Sequence, residues 1–168
     1  MPASTKRLHS KKEFALYQEL QTVGVQFEYQ CRIPFRGCGL KSETTGAYVD
    51  FVIPKPWGYI LLECEEDQHR SYDPSCDVRR DFDMAASVAL GSAHKLMVVR
   101  YNPDSYRIDG KTRVESKNDR INRLLVLLDY GPVAFERVLL CYDQDSTSTL
   151  PQVGVAWEEA ARQVSRIA

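Results

Sequence analysis

The sequence predicts an α/β fold: a single domain with a central mixed β-sheet flanked by helices. One observation is that helical and strand patterns alternate along the chain. A second is the length of 168 residues with a 43% hydrophobic fraction, which suits one substantial core. A third is that short turns separate the first strands, which favours antiparallel pairs, whereas helices separate the later ones, which favours parallel crossovers.

The first half of the chain is predicted to form a helix followed by three strands. Residues Lys11–Thr22 carry a loose apolar stripe at helical spacing. The strands are predicted at residues 25–33, 47–53 and 59–65. Residues 34–46 contain three glycines and are predicted to form a loop.

A second helix is predicted to begin at Asp73-Pro74, because an aspartate N-cap followed by proline favours a helix start. Gly91 is predicted to end this helix. Its apolar face is predicted from helical spacing to consist of Val78, Phe82, Ala85 and Ala89.

The rest of the chain is predicted to alternate between strands and helices. A strand is predicted at Lys95–Tyr101, a helix near residues 116–128 and a strand at 138–142. Residues 144–168 are predicted to form a loop and a closing helix. The whole chain, 1–168, is therefore treated as one domain with its core at about 13–143.

Composition narrows the class of protein. No apolar run approaches the roughly 20 residues needed to cross a bilayer, and the basic, polar N-terminus lacks a secretory signal, so we expect an intracellular protein without membrane contact. Five cysteines without a C-x-x-C pair favour reduced thiols over a disulfide framework. The net charge of −1 does not favour a general nucleic-acid binder, and it leaves open an acidic metal- or protein-binding domain.

The most informative segment runs from residue 48 to residue 69 and reads as a β-hairpin. Pairing about a turn at residues 56–57 places Ile53 opposite Ile60 and Asp50 opposite Glu63. Side-chain alternation then directs Asp50, Glu63 and Glu65 to one face. The opposite face is predicted to be apolar and to comprise Val49, Phe51, Ile53, Ile60, Leu62 and Cys64.

Three carboxylates crowded on a largely apolar sheet repel one another, and a divalent cation such as Mg²⁺ would compensate their charge. The alternative is that each acid pairs with an arginine, for which Arg70, Arg79 and Arg80 are candidates. His69 follows Glu65 by four residues, and its ordinary pKa near 6.5 suits a general acid or base.

The spacing D-x12-E-x-E-x3-H, formed by Asp50, Glu63, Glu65 and His69, resembles the PD-(D/E)xK nuclease superfamily. The branch that contains the very-short-patch-repair endonuclease is the most similar. CDVRR at residues 76–80 and VVRYNPD at 98–104 add to the resemblance, which covers residues 13–143. It implies a restriction-endonuclease-like α/β fold.

The resemblance implies metal-dependent hydrolysis of DNA phosphodiester bonds to 5′-phosphate and 3′-hydroxyl ends. It implies Mg²⁺, or Mn²⁺, held by Asp50, Glu63 and the backbone carbonyl of Cys64, with Glu65 assisting. The implied supporting residues are His69 for proton transfer, Gln68 for positioning water or phosphate, and Glu13 from the first helix. Glutamate stands at position 65 where the superfamily usually has lysine, which leaves open a catalytically inactive module that binds DNA or a protein.

Candidate DNA contacts are basic residues downstream of the acids. Double-stranded DNA is the expected partner, and the sequence gives no indication of oligomeric state. The residues expected to contact phosphates are Arg79, Arg80, Arg100, Lys111, Arg113 and Lys117.

Overall fold

The computed structural model describes residues 10–34, 46–69, 74–89, 95–133 and 135–144. The side chains of residues 69, 74–77 and 89 are not described. The predicted closing helix and nearly all of the predicted 34–46 loop lie outside the described residues. The helices are α1 (Lys11–Thr22), α2 (Pro74–Ala89) and α3 (Lys117–Asp129), and the strands are β1 (Glu28–Pro34), β2 (Gly46–Lys55), β3 (Gly58–Cys64), β4 (Lys95–Tyr101), β5 (Tyr106–Ile108), β6 (Lys111–Arg113) and β7 (Glu136–Leu140).

Five of these strands form one mixed sheet in the order β1-β2-β3-β4-β7. The β1–β2 and β2–β3 pairs are antiparallel, whereas the β3–β4 and β4–β7 pairs are parallel. The predicted α/β fold, with a mixed central sheet flanked by helices, is confirmed. None of the helices in the described ranges is long and apolar enough to span a membrane.

The predicted boundaries are most accurate where the sequence pattern is strongest. Helix α1 and strand β4 have the predicted bounds. Strand β1 begins at Glu28 rather than at residue 25, and β7 begins and ends two residues before the predicted 138–142. Ser10 caps α1 by accepting a hydrogen bond from the backbone N–H of Glu13, whose carboxylate in turn accepts one from the backbone of Ser10.

Apolar side chains form two clusters of buried residues. Helix α2 contributes Met84 to one cluster, which includes Val49 and Leu61. The other cluster contains Phe51 and Leu62 and is packed by residues of α1 and α3. The prediction that Val49 shares a face with Phe51 is therefore wrong.

Strand β1 is distorted next to the part of β2 where Val49 and Phe51 point to different clusters. In the β1–β2 ladder, Tyr29 pairs with Phe51 and Cys31 pairs with Val49, while Gln30 between them has a left-handed φ of 51°. The register is the same on both sides of Gln30, so the irregularity is a local change of backbone conformation without an inserted residue. Asp50 lies on β2 at this irregular point.

The predicted apolar face of α2 is also wrong in part. Ala85 is buried, but Val78 and Phe82 are 36% and 54% exposed, and Ala89 lies among the undescribed side chains. The helix instead buries Asp81 and Met84. The spacing of apolar residues does not predict this buried face, because the charged residue Asp81 occupies part of it.

The β5–β6 hairpin was not predicted from the sequence. Its two strands are only three residues long, and Asp109 and Gly110 connect them with φ values of 50° and 74°. Two consecutive left-handed residues are typical of a type I′ turn, for which Asp-Gly is a favoured sequence. The Asp-Gly dipeptide is a sequence signal for this turn. The two strands are too short to show the alternation of apolar and polar residues that predicts a strand.

Replacing Gly58 with alanine is expected to destabilise the protein. A Cβ atom at this position would lie 1.9 Å from the carbonyl oxygen of Lys95, and the φ of 152° is unfavourable for other residues. We expect Gly58→Ala to lower the free energy of unfolding by about 3 kcal/mol, measured by denaturant titration.

Gly24→Ala is the matched control, because Gly24 also has a positive φ (79°) but no atom within 4 Å of the point that a Cβ would occupy. Backbone strain alone is expected to cost about 1 kcal/mol there. Equal losses in the two variants would contradict a steric origin at Gly58.

Candidate functional site

The three predicted acids lie where β3 ends. Asp50 is on β2, Glu63 is on β3, and Glu65 is the first residue after Cys64, which ends β3. The predicted pairs Phe51–Leu62 and Ile53–Ile60 are confirmed in the β2–β3 ladder. All three acids are at least 95% buried, which is unusual for carboxylates and requires compensating partners.

Asp50 contacts the backbone of the segment that carries the two glutamates. The backbone N–H of Cys64 donates a hydrogen bond of 2.8 Å to Oδ2 of Asp50. The negative charge of Asp50 also contributes to raising the pKa of Glu63. The charges of Asp50 and Glu63 therefore interact, although the β2–β3 ladder begins at the Phe51–Leu62 pair and does not include the predicted Asp50–Glu63 pair.

Glu63 has an arginine partner from α2. Nη2 of Arg80 donates to Oε1 of Glu63 over 2.7 Å and to the carbonyl of Tyr48 over 2.7 Å. Burial raises the pKa of Glu63 to about 8, Arg80 opposes that shift, and Asp50 reinforces it. Desolvation of the buried Glu63 carboxyl therefore outweighs the attraction of Arg80, and its protonated form is favoured.

Glu65 belongs to a buried network of charges. Nη1 of Arg100 and the hydroxyl of Tyr142 both donate to its carboxylate. Arg100 also donates to both oxygens of Asp81, at 2.6 and 2.7 Å. Nε of Arg137 donates to Oδ2 of Asp81 over 2.6 Å, so two acids and two arginines balance one another.

This network corrects two predictions. Glu65 was expected to assist a metal ion, but its carboxylate is bound by Arg100 and Tyr142. Arg100 was expected to contact DNA phosphate, but it is fully buried and cannot reach a ligand outside the protein. Arginine pairing, which was the alternative to a cation, is what the structure shows for both Glu63 and Glu65.

The described residues include no group of three or more His, Cys, Asp or Glu side chains that could hold a metal ion. A three-carboxylate centre is therefore not formed in the described part of the chain. Asp50 and Glu63 remain as a pair of acids. Asp50 contacts the backbone N–H of Cys64, the residue that follows Glu63. Two carboxylates are within the number that Mg²⁺ commonly uses.

Glu13 reaches the neighbourhood of Asp50 from α1. Its carboxylate accepts hydrogen bonds from the hydroxyl of Tyr29 (2.8 Å) and from Nε2 of Gln30 (3.1 Å). Burial raises the pKa of Tyr29, and the charges of Glu13 and Asp50 add to the effect. The described contacts of Glu13 thus hold the irregular part of β1 beside Asp50.

A short helical turn, Glu66–His69, follows the acids. Asp67 and Gln68 have φ values of 51° and 56°, an uncommon conformation for residues with side chains. The backbone N–H of Asp67 donates to Oδ2 of Asp104 over 2.9 Å. The Gln68 side chain donates to Oδ1 of Asp143 over 3.0 Å and accepts from its backbone N–H over 2.7 Å.

These contacts show which predicted functional side chains of the turn are already bonded within the protein. Gln68 was expected to position water or phosphate, but its amide group is bonded to Asp143 and holds the turn. His69 is the last residue of the turn, and its side chain lies outside the described part of the structure. Asp104 and Asp143 fix the backbone that leads into His69.

The other predicted DNA contacts are dispersed. Arg79 lies on α2 with Nε 3.9 Å from Asp83, and Lys117 forms an ion pair with Glu19. Lys111 and Arg113 lie exposed on β6. Together with Arg80 on Glu63 and buried Arg100, these residues do not form one continuous basic surface.

Asp81, Arg137 and Tyr142 were not predicted from the sequence as part of the site. One signal for such a network was present: Arg100 interrupts an otherwise apolar strand, and a charge within a buried strand requires a buried partner. The identity of that partner was not readable, because Asp81 precedes Arg100 by 19 residues and Tyr142 follows Glu65 by 77.

Comparisons with known proteins add little. No protein-family model matches the chain, and no curated protein matches it. Among solved structures, the crystal structure of a protein of unknown function, AF1548, is 9% identical with a TM-score of 0.37. That match covers 89% of this chain and 65% of the other, and a similarity of this degree assigns no function.

Breaking the buried network is expected to destabilise the fold. Arg100→Met would leave Asp81 and Glu65 without their shared cation, so we expect a loss of about 3–5 kcal/mol in the free energy of unfolding, measured by urea titration. Arg79→Met removes an exposed arginine and is expected to change stability by less than about 1 kcal/mol. Similar stabilities for the two variants would contradict a structural role for Arg100.

The raised pKa of Glu63 predicts a pH-dependent stability. Its folded-state value of about 8 exceeds the ordinary value of 4.5, so the contribution to stability is full below about pH 4.5 and is lost as the pH rises through 8. In metal-free buffer, the melting temperature of the wild type is expected to fall more between pH 6 and pH 9 than that of Glu63→Gln. Glu28→Gln, an exposed substitution on β1, is expected to retain the wild-type profile.

Proposed function

We propose that this chain is a divalent-metal-dependent endonuclease that hydrolyses phosphodiester bonds in double-stranded DNA, leaving 5′-phosphate and 3′-hydroxyl ends. The observation that carries the proposal is the contact between Asp50 and the backbone N–H of Cys64, which brings the acid of β2 beside Glu63 on β3. An acid in one strand, E-x-E at the end of the next and a helix opening the fold follow the order that the PD-(D/E)xK resemblance implies.

The residues present fit a site with two carboxylates. Asp50, Glu63 and the carbonyl of Cys64 offer oxygen donors, which Mg²⁺ and Mn²⁺ prefer, and water and substrate phosphate commonly complete such a site. The pKa of Glu63, raised to about 8 in spite of Arg80, is consistent with a place where added positive charge is stabilising. Glu65 is not included, because Arg100 and Tyr142 bind it.

A bound divalent ion would stabilise negative charge on the attacked phosphate and make a nearby water molecule more acidic. The roles of the protein residues follow from their positions. Asp50 and Glu63 would hold the ion, and the network around Arg100 fixes the end of β3 beside them. The contact of Gln68 with Asp143 holds the turn, and His69, the last residue of that turn, would accept or donate the proton.

A second candidate function is a catalytically inactive nuclease-like module that binds DNA or a protein. One observation favours it: Glu63 and Glu65 already have arginine partners, so their burial requires no metal ion. The two proposals differ in metal binding and in turnover. They share the expectation of the same fold.

The nuclease proposal predicts that Asp50→Asn and Glu63→Gln each reduce plasmid nicking by at least about 100-fold in Mg²⁺ or Mn²⁺, because each removes one charge from the ion site. Asparagine retains an oxygen acceptor for the N–H of Cys64, so Asp50→Asn is expected to preserve the fold. The measurement is the rate of conversion of supercoiled plasmid, with circular dichroism as the test of folding.

Glu28→Gln supplies the matched control for this assay, because it neutralises an exposed acid on β1 and is expected to retain full activity. Nicking that survives both site substitutions would sink the nuclease proposal. A wild-type protein that binds neither Mg²⁺ nor Mn²⁺ in calorimetry would support the inactive module instead.

A further inference from the structure

The β5–β6 hairpin lies at the end of the sheet where the acids lie, which is the carboxyl end of its parallel strands. Strand β5 begins five residues after the end of β4, and the segment after β7 pairs with it through an Ile108–Gln144 bridge. Asp109 donates its N–H to the carbonyl of Gln144 over 3.0 Å, and Gln144 donates to the carbonyl of Arg107 over 2.8 Å. Since β3, β4 and β7 are parallel, the hairpin lies at their carboxyl ends, where Glu63 and Glu65 are found.

The hairpin carries three exposed cations, Arg107, Lys111 and Arg113. Arg107 pairs with Thr112, Ile108 with Lys111, and Tyr106 with Arg113. Directly paired residues share a face of a β-ribbon, so the face of Lys111 and Arg113 also carries Tyr106, which is buried in the core, and the opposite face carries Arg107. Within the described ranges no ion pair links these three cations to an acid.

One carboxylate connects the hairpin to the turn that carries His69. Oδ1 of Asp143 accepts a hydrogen bond from the backbone N–H of Arg107 (2.7 Å) and another from Nε2 of Gln68 (3.0 Å). The hairpin and the Glu66–His69 turn are therefore fixed to the same atom. A ligand held by the hairpin would be positioned relative to the turn without a flexible linker.

We infer that the β5–β6 hairpin is the arm that binds the phosphate backbone of a DNA duplex and holds the duplex against the acids at the end of β3. Exposed arginine and lysine side chains contact DNA phosphates, and this hairpin exposes three of them close together while its Tyr106 anchors it to the core. With a net charge of −1 for the chain, attraction to phosphate has to come from such a local cluster. This inference rests on the proposed function for the identity of the ligand.

The test compares two double variants that each remove two positive charges. Lys111→Ala/Arg113→Ala changes the hairpin. Lys55→Ala/Lys95→Ala is the matched control, because Lys55 ends β2 and Lys95 begins β4, which places both at the opposite edge of the sheet. Binding of a short fluorescein-labelled DNA duplex is measured by anisotropy in EDTA, so that cleavage does not occur.

The hairpin variant is expected to raise Kd about tenfold near physiological salt. It is also expected to reduce the slope of log K against log salt by about 1.8, because each lost phosphate contact removes about 0.9. The control is expected to change the slope by less than about 0.5. Circular dichroism of both variants is expected to match the wild type, because Lys95, Lys111 and Arg113 are exposed and the half-buried Lys55 pairs only with the exposed carboxylate of Asp129 among the described residues.

Three outcomes would overturn the inference: equal weakening in the two variants, absence of duplex binding by the wild type, or tighter binding of the corresponding single strand. The outcome is separable from that of the nuclease proposal, because Asp50→Asn is expected to bind the duplex like the wild type in EDTA. Binding through the hairpin without any nicking would leave the inference standing and sink only the nuclease activity.

Discussion

The buried guanidinium of Arg100 sets the strictest constraint on this structure. It lies in β4, fully removed from water, between Asp81 of α2 and Glu65 beyond β3. A buried arginine destabilises a fold strongly unless acids and hydrogen bonds satisfy it. Helix α2 therefore has to turn Asp81 inward and Val78 and Phe82 outward, and the end of β3 has to direct Glu65 toward α2. The orientation of α2 and the position of the site thus depend on one ion network.

This network also separates the roles of the neighbouring acids. Glu65 is bound by Arg100 and by Tyr142, so its charge is used within the fold. Glu63, two residues earlier, accepts a hydrogen bond from Arg80 of α2, and burial keeps its pKa raised. Asp50 contacts the peptide N–H that lies between Glu63 and Glu65. The three acids are therefore not equivalent, and the proposed metal centre has two carboxylates, those of Asp50 and Glu63.

The parts of the fold that follow from local patterns were predictable from the sequence. The apolar alternation of β2 and β3 gave the correct hairpin register, and the periodicity of α1 gave its correct bounds. Contacts between distant residues were not predictable. The buried face of α2 depends on the pairing of Asp81 with Arg100, and apolar spacing does not include charged residues. Val49 packs on the opposite side of the sheet from Phe51 beside a left-handed residue of the neighbouring strand, Gln30, whose conformation no apolar pattern predicts.

The same pairing explains why net charge is a poor guide to the partner of this chain. Arg100 and Arg137 are bonded to Glu65 and Asp81, so two cations and two acids cancel one another locally. Charges that cancel inside the fold contribute little to the field that an approaching polyanion meets. That field depends on the exposed charges, and the β5–β6 hairpin exposes Arg107, Lys111 and Arg113. A chain with a net charge of −1 can therefore still attract phosphate at one edge, where its buried acids also lie.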